Sequence, residues 1–264
     1  MRRIVMVAGL IATLAACGGS AGNVAPMNAA GAVTAPRPVT LREPDPDARR
    51  GLSPEFTRVN CAVAKCVALT FDDGPMEESD KLLQILARYR AKATFFVVGR
   101  MVEENPEILH REVADGHEIA NHTWSHADLT SLSPEGLRAE IEKTQAVIKQ
   151  HAGYDATLMR PPYGATNARV ASAAKEFGLA EIMWAVDPLD WQNRDTALVE
   201  RRVLAQTRPG DIVLLHDIHS SSVDAVPGIL AALAERGYKF VTVSGLLAGT
   251  SVEPGRQYRD RAAT

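Results

Sequence analysis

Between residues 61 and 248 the chain alternates short apolar runs with longer amphipathic stretches. The runs 66–71, 93–98, 117–120, 158–160, 179–186, 211–215 and 238–243 are nearly continuous in apolar residues. That is the pattern of strands buried on both faces, as in parallel sheets. The stretches between them read as helices. Leu82, Leu83, Ile85, Leu86 and Tyr89 form one apolar stripe, wide enough to face a core. Asn105-Pro106 places a cap before proline at the first helical position, and Gly116 ends that helix. Ser133-Pro134 opens another, which carries Leu137, Ile141 and Ile148 and closes at Gly153. Further helices are predicted over 167–177, 195–207 and 224–236. The tail, 249–264, is polar and reads as loose.

Alternation alone does not separate an open sheet from a closed barrel, but the polar residues do. Asp72 and Asp73 follow the first strand, His122 and His126 the third, and Arg160 ends the fourth. Asp187 and Asp190 follow the fifth, and His216 and Asp217 the sixth. All lie at carboxyl ends of strands. A barrel brings those ends to one face, where barrel enzymes carry their chemistry, whereas an open sheet spreads them along a line. The fold class expected is α/β, a single barrel over 61–248.

Composition changes the picture at the N-terminus. The 264 residues are 46% hydrophobic with a net charge of −3, so a core is affordable and the basic footprint of a nucleic-acid binder is absent. Arg2 and Arg3 precede an apolar run over 4–16. Its length, about 20 Å as helix, falls short of a bilayer's roughly 30 Å core. Residues 1–16 therefore read as a secretory signal. The sequence Leu14-Ala15-Ala16-Cys17-Gly18 resembles the lipobox of bacterial lipoproteins, in which the signal is cut off immediately before a cysteine whose thiol carries a diacylglycerol. This implies a membrane anchor at Cys17 and an extracytoplasmic location. Residues 17–60, rich in Gly, Ala, Pro and Asn, read as a flexible tether. Cys61 and Cys66 then suit a local disulfide in a compartment that permits one, since a zinc ribbon would need a second pair.

The candidate chemistry starts from a metal. His122 and His126, four residues apart, present two imidazoles, and Asp72 or Asp73 offers a carboxylate. Two histidines and one carboxylate leave open positions, as catalytic zinc requires, and the same set suits non-haem iron. Asp187 and Asp217 serve equally well as strand-end caps. Trp124 and Trp184 read as packing residues, and His110, His117 and His151 show no partner pattern.

Five segments together resemble the motifs of the polysaccharide deacetylases, the NodB-homology family or carbohydrate esterase family 4. They are Thr70-Phe71-Asp72-Asp73-Gly74-Pro75, His122-x-x-x-His126, Arg160-Pro161-Pro162-Tyr163-Gly164, Asp187-x-x-Asp190-Trp191 and Leu214-Leu215-His216-Asp217. The resemblance implies a distorted (β/α)7 barrel that hydrolyses acetyl groups from a polysaccharide. It implies a divalent metal, most often Zn2+, on Asp73, His122 and His126, with Asp72 as general base paired to Arg160. It makes His216 the general acid, supported by Asp190, and aims the backbone N–H of Tyr163 at the developing oxyanion. Trp191 and Leu214 would wall the acetyl pocket. The substrate it favours is N-acetylglucosamine in peptidoglycan or a chitin-like chain. An O-acetyl esterase on xylan and a non-catalytic binding barrel are the alternatives.

Overall fold

Along the first strand, β1 (Cys66–Asp72), side chains alternate between two surroundings. Val67, Leu69 and Phe71 join the large core beneath the helices, while Cys66 and Ala68 join a second, inner cluster. Strand alternation therefore sends Thr70 and Asp72 to the inner side with Ala68. The same split holds in β6 (Ile212–His216), where Val213 and Leu215 face the helices and Ile212 faces inward with Leu214 and His216. Along these two strands the barrel's interior is apolar below and polar at its upper rim, while low on the second and third strands Thr94 donates to the buried Glu118 at 2.8 Å.

The computed structural model describes residues 59–261. β1 pairs in parallel with β6 on one side and with β2 (Thr94–Val97) on the other, in a register that sets Asp72 beside His216. The sheet continues in parallel through β3 (Glu118–Asn121), β4 (Leu158–Met159) and β5 (Ala180–Ile182). A parallel bridge between Val186 and Val213 then brings the chain beyond β5 back against β6 and closes the ring. The seventh strand, β7 (Lys239–Phe240), lies off this path and pairs only with the first two residues of β1. This is the distorted (β/α)7 barrel.

The helices cover the outside. α1 (Glu77–Tyr89) buries Leu82, Leu83, Ile85 and Leu86, the stripe read from sequence. α2 (Gly99–Glu104) and α3 (Pro106–Ala114) follow β2, and α4 (Pro134–Ala152) starts on Ser133, whose hydroxyl accepts from Gly136 N–H at 3.1 Å. α5 (Ala168–Glu176) and α7 (Thr196–Gln206) lie within a residue or so of their predicted bounds. The short α6 (Asp190–Asn193) and α9 (Val243–Leu247) had no periodicity to announce them. α8 (Ser220–Glu235) begins four residues before the predicted 224, because its serine-rich first turn looks like loop. Cys61 and Cys66 are joined by a disulfide at the foot of β1.

One expectation is overturned. Over its described residues, 249–261, the tail is not loose: β8 (Gln257–Tyr258) adds to β5, and Tyr258 is wholly buried. Its hydroxyl donates to Ser251 O at 3.1 Å and accepts from Glu253 N–H at 2.9 Å. A two-residue strand in a polar segment leaves no alternation to read, so one buried aromatic carries the docking. The domain boundary expected at 248 therefore falls too early. The signal 1–16, Cys17 and nearly all of the 17–60 tether lie outside the described residues.

Candidate active site

The strand ends deliver their polar residues to one cavity of about 450 Å³, lined by Asp72, Asp73, His122, His126, Tyr163 and His216 among others. Asp72, the last residue of β1, is buried, and its Oδ1 accepts from Arg160 Nη1 at 2.6 Å. Arg160 has no exposed surface. Its remaining donors reach Ile182 O, Thr70 Oγ1 and Met183 O at 2.9, 2.8 and 3.2 Å, and its guanidinium lies 4.1 Å from the centre of the Phe96 ring. A guanidinium bound on so many sides holds Asp72 in one orientation, as a planar donor fork does. Thr70 completes the arrangement by donating to Val213 O at 2.7 Å.

Asp73 follows with φ 79°, a turn that swings its carboxylate away from the strand axis. Its Oδ1 lies 3.4 Å from His122 Nε2 and 3.2 Å from His126 Nε2. His122 Nδ1 faces Arg160 O at 2.7 Å. A carbonyl only accepts, so Nδ1 carries the proton and Nε2 presents a lone pair. His126 Nδ1 meets the Tyr163 hydroxyl at 3.2 Å, and burial, with His122 beside it, lowers the His126 imidazole below its ordinary range. Burial pushes the Asp73 carboxyl upward, but His122, His126 and His216 override it and hold it well below the ordinary carboxylate range. Asp73 Oδ1 is nevertheless buried without a hydrogen bond. An anionic oxygen left unsatisfied between two imidazoles fits a divalent cation: the three residues form the one metal-ligating cluster found among the described residues.

On the facing side His216 Nδ1 lies 2.9 Å from Asp190 Oδ1. Burial alone lowers an imidazole, yet the Asp190 carboxylate more than offsets it and raises His216 to about 9. Asp190 is itself held below its usual range against burial by His216 and by Ser222. Its two oxygens accept four donors: His216 Nδ1 and Trp191 N–H on one, His216 N–H and the Ser222 hydroxyl on the other. Ser222, at 2.6 Å, was missed in sequence. The signal available was a hydroxyl six residues beyond a strand-end histidine, weak among three adjacent serines.

The remaining candidates fall as follows. Leu214 is buried in the cavity wall, whereas Trp191 is 48% exposed at its rim. Tyr163 adopts φ 61° and leaves its side chain 71% exposed. Trp184, read as packing, lines the cavity. Asp187 also lines it, while its Oδ1 caps Leu189 N–H at 2.8 Å. Asp217 points away from the cavity toward α1, and burial pushes its carboxyl up to about 7. Ser125, between the two histidines, is tied to Glu140 of α4 through its N–H and hydroxyl, both at 2.8 Å, which pins the turn that carries His126.

A family model described as polysaccharide deacetylase matches residues 60–182. The peptidoglycan-N-acetylglucosamine deacetylase of Listeria monocytogenes is 42% identical over 198 residues, covering 75% of this chain and 42% of that protein. The match thus spans somewhat under half the length of that relative. A peptidoglycan-N-acetylglucosamine deacetylase of Bacillus cereus is 39% identical over 189 residues, covering 69% of this chain and 88% of that one. Among solved structures, the T48 deacetylase with substrate superposes with a TM-score of 0.73 at 44% identity, over 76% of this chain and 99% of the other.

Proposed function

The chain belongs to the polysaccharide deacetylase family, and on that premise we propose that it is a metal-dependent hydrolase that removes N-acetyl groups from N-acetylglucosamine residues of peptidoglycan or a chitin-like chain. The observation that carries the proposal is a pair of opposite proton tools on neighbouring strands. Asp72, anchored by Arg160, and His216, charged by Asp190, are register partners facing one cavity beside the Asp73–His122–His126 cluster.

The chemistry follows from those groups. A divalent metal on Asp73, His122 and His126, zinc being the best match to that donor set, would polarise the acetyl carbonyl and acidify water near neutral pH. Asp72 takes the proton of the attacking water. The Tyr163 N–H faces the oxygen that becomes negative. His216 gives its proton to the departing sugar nitrogen as the C–N bond breaks, so acetate and a free amine leave. Leu214 and Trp191 receive the acetyl methyl.

Peptidoglycan is favoured because the relatives named above act on it and because Cys17, as a lipidated cysteine, would hold the domain outside the cytoplasmic membrane. No helix among the described residues is long and apolar enough to cross a membrane. The test is acetate release from N-acetylglucosamine oligomers and from acetylxylan, with and without chelator, beside mass analysis of treated muropeptides. Chelator-sensitive deacetylation of the glucosamine sugars is expected. Release from acetylxylan alone would make the protein an O-acetyl esterase, and release from neither would leave a carbohydrate-binding barrel.

A further inference from the structure

We infer that Asp217, which the chemistry above does not use, is a positioning residue for Asp73. The inference rests on the reading of Asp73 as a metal ligand. Asp73 occupies the left-handed region, φ 79°, which a residue with a Cβ keeps only when its surroundings over-determine it. The surroundings act from two sides. From β2, Phe96 O accepts Asp73 N–H at 3.3 Å and Val98 N–H donates to Gly74 O at 3.0 Å. From the end of β6, Asp217 Oδ1 accepts Gly74 N–H at 3.1 Å, and Asp217 N–H donates to Asp72 O at 3.4 Å.

The Asp217 carboxylate has no exposed surface, and its second oxygen takes the hydroxyl of Ser79 in the first turn of α1. Ser79 in turn accepts Met76 N–H at 2.9 Å. One carboxylate therefore joins the end of β6, the ligand-bearing turn and the start of α1. It also stands where a side chain at position 74 would go: a Cβ on Gly74 would collide with the Asp217 carboxylate. The turn is clamped between β2 and Asp217. Without the Asp217 carboxylate, Gly74 N–H loses its acceptor and the β6 side keeps only the main-chain bond to Asp72 O, before the turn. Asp73 Oδ1 then loses its fixed place between the two imidazoles.

The test is titration of metal-free protein with Zn2+, following affinity by calorimetry and stability by thermal unfolding. Groups that orient a metal ligand typically change affinity 10–100-fold when removed. Asp217→Ala is expected to weaken Zn2+ by about that factor, and Asp217→Asn to restore most of it, because its amide oxygen still accepts from Gly74. Leu233→Ala, a fully buried α8 position, should lower the unfolding temperature while leaving Zn2+ affinity unchanged. Asp73→Ala tests the underlying reading separately: wild-type affinity there removes the ligand assignment itself. With Asp73→Ala weakened, an Asp217→Ala protein that binds within twofold of wild type overturns the inference, as does an Asp217→Asn variant no better than alanine. If Asp217→Ala does not fold, Ser79→Ala frees the carboxylate's other oxygen and should weaken Zn2+ at least threefold. Wild-type affinity in that folded variant also overturns it.

Discussion

Asp72 and Asp73 are adjacent, alike in chemistry and assigned to different work. The strand holds Asp72 against Arg160, and the turn at φ 79° delivers Asp73 to the two imidazoles. Asp72→Asn is therefore expected to keep its metal while turnover falls about 10²–10⁴-fold. Asp73→Ala, left with two histidines, should lose the metal and with it the activity. Metal content measured beside turnover checks both, and the reverse pattern would exchange the two roles. The second residue-scale prediction concerns pH. His216 is raised to about 9 because the Asp190 carboxylate outweighs burial. Its charged form supplies the proton, so its contribution to catalysis is lost as pH rises through about 9. The stability contributed through His216 has the same sign. It is fully present below the ordinary histidine value of about 6.5 and is lost as pH climbs through about 9. Asp190→Asn removes the largest upward influence and leaves burial opposed only by the Asp72 and Asp73 carboxylates. The alkaline limb of kcat/KM against pH should then move to lower pH, and an unmoved limb would separate it from this pair.

At the scale of elements, what the sequence exposed and what it hid have one physical cause. The buried strands and the stripe of α1 repeat an apolar period over several residues, so they are legible. The catalytic candidates are legible for a related reason: chemistry-bearing side chains interrupt apolar runs at strand ends. The roles of Thr70, Ser222 and Asp217 are hidden because each is defined by a partner far along the chain. Arg160 meets Thr70 across 90 residues, Ser222 meets Asp190 across 32, and Asp217 meets Gly74 across 143. No local period encodes such a meeting. β8 was hidden in the same way, since its one inward residue, Tyr258, has no alternating neighbours. Yet Tyr258 fills the lower barrel with Ile182, Ala180 and Leu158. Tyr258→Ala should cost about 3–5 kcal/mol, the range for truncating a large buried aromatic. Urea unfolding measures it, and a cost below about 1 kcal/mol would return the tail to the status of an appendage.

For the molecule as a whole, the site draws only on the described residues, from Thr70 to Ser222, and the fold around it runs to β8. The signal, the lipidated Cys17 and the tether are proposed to serve location, and that division has a consequence. A protein beginning at residue 59 contains the disulfide, every strand among the described residues and each residue of the candidate active site. It should release acetate from soluble N-acetylglucosamine oligomers with kcat/KM within about twofold of the full chain, because every residue placed in the site is retained. Full-length Cys17→Ser should match it in solution but appear in soluble or unprocessed form in cells, without incorporating radioactive palmitate. A chain anchored at Cys17 as proposed would meet its polymer at the high effective concentration that a flexible link confers, about millimolar for short linkers. Deacetylation of the cells' own peptidoglycan should therefore fall in the Cys17→Ser strain at equal protein level, even though the purified enzymes are equal. Muropeptide mass analysis of the two strains reads this directly. Equal deacetylation, or palmitate label persisting without Cys17, would remove the anchor from the account while leaving the active site as described.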